Sequence, residues 1–285
     1  MHILAATDFS TRSNRALRQA GLLSQPTSVH LHVVHVVDDD QPDDLVRLEK
    51  REAERLLSEQ IGSMPELRGT HARSLVIEGD PFDGILRTAD EIQPDLIVMG
   101  SHRKQFLRDI VVGTTIERVV SKSPFPVLMV NFEAQRNYER IIVPTDMSKA
   151  SANAIRVAMS TGLITDKGAT LIHALLAPAK GRMFVAAADQ KSVESYVASE
   201  RQRALDELAA FLITCGLKEA VWSKHVKEEA PMEIISESVS EMQPDLVVMG
   251  TNARSTFVKA LIGSVTEEAL RSLNVDILVV PPSRR

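Results

Sequence analysis

The sequence predicts an α/β fold made of two tandem, doubly wound, Rossmann-like parallel sheets of five strands each, in the order 3-2-1-4-5. Three observations carry this expectation. Short apolar runs alternate with helix-periodic amphipathic segments along all 285 residues, the pattern of strands joined by helical crossovers. The chain repeats itself: Met1 to Ser10 resembles Arg140 to Ser148, and Gln93-Pro-Asp-Leu96 recurs as Gln243-Pro-Asp-Leu246. In each copy, finally, a glycine closes the fourth apolar run (Gly100, Gly250), and a second glycine with a hydroxyl neighbour opens the next helix (Gly113-Thr114, Gly263-Ser264). Such a loop lies where a doubly wound sheet changes direction and binds ligands.

The two halves are predicted as 1–135 and 136–285, joined by a short polar link near Gln135 to Tyr138. Asp8 and Asp146 stand 138 residues apart, whereas Gly113 and Gly263 stand 150 apart, so the second copy holds about 12 extra residues, placed between Ala177 and Gln190. Each half is long enough for its own core.

In the first copy, His2 to Thr7 reads as a buried strand. Ser10 caps a helix through Leu23, on which Ala16, Leu17, Ala20 and Leu23 recur at helical spacing. Ser28 to Val37 is the second strand. The acidic stretch from Asp38 to Asp44 leads into an amphipathic helix reaching about Ile61, whose first turn it favours electrostatically. His71 to Ile77 is the third strand. Pro81 starts a helix that ends near Gln93-Pro94, Leu96 to Met99 is the fourth strand, Thr114 to Lys122 is helical and Pro126 to Val130 is the fifth strand. The second copy repeats the order, with strands at Arg140 to Thr145, Thr170 to Leu176, Ala220 to Val226, Leu246 to Met249 and Ile277 to Val280. Its helices include Ser192 to Leu212, one starting at Pro231, and Val265 to Leu273.

Composition limits the function. A net charge of −5 gives no reason to expect nucleic acid as partner. No apolar run reaches membrane length and no basic-then-apolar leader precedes the first strand, so a cytoplasmic protein without a membrane partner is expected. The single Cys215 excludes an internal disulfide. No loop ends in Gly-Lys-Ser/Thr, and the first strand-to-helix turn, Thr7-Asp8-Phe9-Ser10, lacks the dinucleotide glycines. P-loop and dehydrogenase readings therefore fall away.

What remains resembles the universal stress protein family in a two-domain form, over nearly the whole chain. The resemblance rests on Thr-Asp-x-Ser after the first strand, on His35-Val36 and His173-Ala174, and on Pro-Asp-Leu with two hydrophobic residues and Met-Gly before the loop. Nucleotide-binding members carry Gly, two residues, Gly, nine residues, Gly, then Ser or Thr. This chain keeps the spacing in both copies but has Arg103 and Ala253 at the middle glycine. The resemblance implies ATP, with Mg²⁺, as a regulatory ligand. Asp8 and Asp146 would face the nucleoside, and the backbone of Val36 and Ala174 would meet the adenine edge. Gly100, Arg103, Gly113, Thr114, Thr115, Gly250, Ala253, Gly263, Ser264 and Val265 would surround the phosphates. If the middle position needs positive φ, Ala253 costs about 1–2 kcal/mol, roughly tenfold in affinity, and Arg103 adds bulk but also a guanidinium able to pair with phosphate. The second copy is thus the better candidate for an intact site. The alternative is a stress-protein scaffold with empty sites, acting through protein contacts. By the same resemblance, the last strands of the two halves would pair within the chain as a pseudo-dimer, which leaves a homodimer of whole chains open.

Other signals are set aside. His30 and His32 share one strand face and His35 takes the other, so these three do not converge on a metal. The aspartates from 38 to 44 lack an EF-hand pattern. No nucleophile–base pair stands out, so a binding protein rather than an enzyme is expected.

Overall fold

A computed structural model of the chain describes residues 1–25, 28–101, 115–218, 221–251 and 263–283. The first half runs β1 (His2–Ala6), α1 (Thr11–Leu23), β2 (His30–Val37), α2 (Asp43–Ser63), β3 (His71–Glu78), α3 (Pro81–Ile92), β4 (Leu96–Gly100), α4 (Thr115–Lys122) and β5 (Val127–Val130). The second runs β6 (Ile141–Pro144), α5 (Lys149–Ser160), β7 (Thr170–Ala174), α6 (Lys180–Val185), α7 (Gln190–Thr214), β8 (Ser223–Lys227), α8 (Pro231–Met242), β9 (Leu246–Gly250), α9 (Ser264–Ser272) and β10 (Asp276–Val280).

The local signals work as the sequence suggested. Ser10 and Ser148 cap α1 and α5, each hydroxyl accepting from the backbone N–H three residues on. Asp43 and Asp44 fill the first turn of α2, where the helix dipole favours negative charge. Pro81 and Pro231 open α3 and α8, and Gln93 and Gln243 close them in the left-handed conformation (φ 53° and 45°), each followed by proline. Two short elements were not anticipated: a 3₁₀ turn at Pro65–Leu67 and the helix α6, into which the extra residues of the second copy fold.

All ten strands form one sheet, ordered β3-β2-β1-β4-β5-β10-β9-β6-β7-β8. Each half has the expected order 3-2-1-4-5, and the expected intrachain seam is present as the antiparallel pair β5–β10. Leu128 faces Leu278 at the seam, flanked by Met129↔Ile277 and Val127↔Val279. Those two leucines are equivalent positions of the repeat, so the pairing is centred on a pseudo-two-fold axis, as an isologous contact requires.

Alternate strand residues face opposite layers. Ile3, Ala5, Leu96, Val98, Leu278 and Val280 join the core under α1 and α5. Leu4, Ala6, Ile97, Met99, Ile277 and Val279 join the core that contains Ile85 of α3, Ile116 of α4 and Leu270 of α9. Burial on both faces explains the unbroken apolar runs of the central strands. Both cores continue across the seam, and the link between the halves is pinned to it. Asp276, only 3% exposed, accepts hydrogen bonds from the backbone N–H groups of Asn131 (2.7 Å) and Phe132 (3.1 Å) and from the Tyr138 hydroxyl (2.6 Å).

Candidate functional site

The strand order brings β1 beside β4 and β6 beside β9, both pairs parallel. The carboxyl end of each pair is a topological switch point. Past the end of β1 the chain turns sharply through Phe9 (φ 59°), and past β6 through Met147 (φ 57°). A bulky residue in the left-handed region costs about 1–2 kcal/mol, and hydrogen bonds hold the turn in both copies. Asp8 accepts from the Ser10 N–H (3.0 Å), and Asp146 accepts from the Ser148 N–H (3.1 Å) and the Ser151 hydroxyl (2.7 Å). His35 Nδ1 donates to the Thr7 carbonyl and His173 Nδ1 to the Thr145 carbonyl, both at 2.9 Å. A carbonyl can only accept, so Nδ1 carries the hydrogen in each ring.

Thr-Asp-x-Ser is therefore a helix-capping turn first, but its carboxylates are not used up. Asp8 and Asp146 both remain exposed at the crevice. Partial burial pushes each carboxyl pKa upward, but the serine hydrogen bonds outweigh it and leave both below the ordinary value. Each is an anionic acceptor at neutral pH.

The glycines separate into two kinds. A Cβ on Gly100 would stand 2.6 Å from the carbonyl of Arg12, and one on Gly250 would stand 2.5 Å from the carbonyl of Ala150. These two glycines let the first turns of α1 and α5 close onto the ends of β4 and β9, a packing role. Gly263 is different. It precedes α9 with φ −61°, which any residue adopts, and a Cβ there meets none of the described residues within 4 Å. Neither the dihedral nor packing against the described residues demands glycine at this exposed position. Close approach of a ligand to the amides at the start of α9 would.

In the first half a cavity of about 480 Å³ opens at the switch point, within the range of small-molecule sites. Asp8, Val36, Gly100 and Thr115, from four different elements or turns, all line it. The sequence did not single out Arg12 as a lining residue, nor Pro81 and Ile85 at the far wall. Arg12 lies two residues past the helix cap, and the close approach of α1 to the end of β4 brings it to the crevice. In the second half, Asp146, Ala174 and Gly250 end or follow β6, β7 and β9, and Gly263, Ser264 and Val265 start α9. Arg103, Gly113, Thr114 and Ala253 lie outside the described residues. Among the described residues no group of three metal-ligating side chains surrounds one point, and no helix is long and apolar enough to cross a membrane. Cys215 is half-buried, and burial pushes its thiol pKa up despite nearby Arg156, against a reactive thiolate.

Comparison with known proteins agrees with this geometry twice over. The model of the universal stress protein family matches residues 1–131 and again 137–281. The chain belongs to the universal stress protein family. It is 24% identical over 217 residues to a universal stress protein E homolog of Haemophilus influenzae, covering 74% of this chain and 70% of that one. It is 27% identical over 150 residues to universal stress protein MJ0577 of Methanocaldococcus jannaschii, covering 45% and 93%. The crystal structure of a universal stress protein from Archaeoglobus fulgidus superposes with a TM-score of 0.68 at 20% identity, over 98% of both chains. That likeness supports the fold of this universal stress protein through both halves and the seam between them.

Proposed function

We propose that this universal stress protein is a receptor for adenine nucleotide, binding ATP as a regulatory ligand at the carboxyl edge of its sheet. The observation that carries the reading is the first-half cavity, where the exposed carboxylate of Asp8, the end of β2 at Val36, and the first residue of α4, Thr115, meet around one space. An ionised carboxylate suits ribose hydroxyls, strand-end backbone groups suit a base edge, and helix-start amides suit phosphate. Arg12 also lines the cavity and would bring a cation to an anionic ligand there. In the second half Gly263, with Ser264 and Val265 after it at the start of α9, supports a matching phosphate position. Mg²⁺ would be carried by the phosphates. We read the ligand as a signal and not as a substrate.

Calorimetry with ATP on the purified chain tests this. Binding should weaken at least about tenfold in Arg12→Ala for the first site and in Gly263→Val for the second, with unchanged folding. No heat and no retention of nucleotide at millimolar ATP would overturn the proposal. The replacement of the middle glycine by Arg103 and Ala253 favours one rival, a scaffold with empty sites. Freshly purified protein decides between them, because one Trp and two Tyr make the 260/280 nm absorbance ratio sensitive to bound adenine.

A further inference from the structure

At the opposite, amino-terminal edge of the first-half sheet, strand pairing gathers four histidines. His2 pairs with His30 across β1–β2, and His30 pairs with His71 across β2–β3. His32 lies two residues along β2 on the same face as His30. The His2 ring stacks on His30 at 5.1 Å and on His32 at 5.7 Å, and His30 lies 5.8 Å from His71. His2, His30 and His71 are exposed, and His32 is half-buried. Periodicity along one strand shows only two of these four; sheet register recruits the others.

We infer that this cross-strand imidazole cluster is a binding site for a divalent transition-metal ion such as Zn²⁺, Ni²⁺ or Cu²⁺, seated between His2 and His32 with His30 as third ligand. The separation of His2 Nδ1 from His32 Nε2 is 3.4 Å. Two imidazole nitrogens bound at about 2.0–2.1 Å on a tetrahedral ion stand about 3.3–3.4 Å apart, so the two donors have the spacing of neighbouring ligands, and a tilt of the nearly parallel rings (21°) would aim both lone pairs at one ion. No third donor yet converges with them. The proposal requires the exposed His30 ring, now stacked 5.1 Å from His2, to turn its edge towards the ion. Imidazole donors suit these ions rather than Mg²⁺ or Ca²⁺. Asp95, whose carboxylate accepts from the His2 backbone N–H at 2.8 Å, fixes the strand position of one ligand.

The duplicated half serves as an internal comparison. The registers Leu4↔His32 and Ile142↔Thr170, with His32↔Arg73 and Thr170↔Ser223, align His2, His30, His32 and His71 with Arg140, Gly168, Thr170 and Val221. Those four residues line a hollow of about 300 Å³ with no imidazole in it. The cluster therefore belongs to one end of the molecule and is not imposed by the fold.

The test is titration of untagged, chelator-treated full-length protein with Zn²⁺ and with Ni²⁺, followed by calorimetry and by histidine ring signals in NMR. One equivalent should bind at micromolar concentration and shift the Cε1–Hε1 resonances of His2, His30 and His32 in the wild-type protein. His2→Gln and His32→Gln should each weaken it about tenfold or more, or at least about 1.4 kcal/mol. Cu²⁺ should give an electron paramagnetic resonance spectrum with coupling to several nitrogens. Binding only at millimolar metal, full affinity in both variants, or wild-type ring shifts confined to other histidines would overturn the assignment. The 3.4 Å contact would then be an ordinary imidazole–imidazole hydrogen bond.

Discussion

Replacing Asp276 by Ala should be among the most destabilising single substitutions in the chain. The carboxylate is buried at the start of β10, and its three donors are two backbone N–H groups and one hydroxyl, all from the link between the halves. Removing it strands these donors without water, at about 1–3 kcal/mol each, and coupling within the cluster brings the expected total to about 3–6 kcal/mol. Asn keeps an oxygen acceptor for the N–H groups and places an amide donor against the Tyr138 oxygen, so Asp276→Asn should stay within about 1 kcal/mol of the wild type. Urea unfolding followed by fluorescence of Trp222 and by circular dichroism measures both. The pH dependence supplies a second check. Burial raises the Asp276 pKa above its ordinary 3.8, although hydrogen bonds from Tyr138, Asn131 and Phe132 pull the other way. The folded state therefore holds the proton longer than the unfolded state. The contribution of this group to stability falls as pH rises from 3.8 through the raised folded value, then levels. Wild-type stability relative to Asp276→Asn should decline across that window. An Ala variant within about 1 kcal/mol of wild type, or a difference curve rising with pH there, would refute the reasoning.

Two further outcomes follow from the same geometry. Gly100→Ala puts a methyl 2.6 Å from the Arg12 carbonyl, so α1 must shift; about 1–3 kcal/mol of stability should be lost, read as a lower melting temperature. Asp8 and Asp146 have depressed folded pKa values. Their contribution should be intact above the ordinary 3.8 and disappear as pH falls through the lower folded values, so Asp8→Asn and Asp146→Asn should flatten the acid limb of the stability curve.

Much of the fold could be read in advance because it rests on local patterns. The strands lie close to where the apolar runs placed them, Ser10 and Ser148 cap helices, and Pro81 and Pro231 open them. The order 3-2-1-4-5 was expected from the doubly wound class that the alternation, the repeat and the glycine loops indicated. What stayed hidden depends on contacts distant in sequence. Asp276 occupies the position equivalent to Pro126, and its role needs Asn131 and Tyr138 across the seam. Gly100 read as a phosphate glycine, and the close approach of Arg12 gives it a packing reason as well. The helix α6 came from an insertion that the first copy could not template. It buries none of its residues, and Phe184 and Val185 are exposed, so no apolar face pointed to it.

The seam also shows what duplication within one chain permits. In a pair of identical chains every feature would occur twice. Here Arg12 faces the first cavity while its counterpart is Ala150, the histidine cluster occupies one outer end, and α6 lies in one half. Even the ion pair across the axis is one-sided. Arg271 of α9 meets Glu117 of α4 at 3.0 Å, whereas the position equivalent to Arg271 is Ser121. Such asymmetry is tolerated because the shared apolar pairing of β5 with β10 does not depend on it. That pairing has a consequence for assembly. β5 is bonded to β4 and β10, and β10 to β9 and β5, so neither has an edge left to offer. The last-strand route to a dimer is satisfied inside the chain, and a second copy would have to associate through another surface.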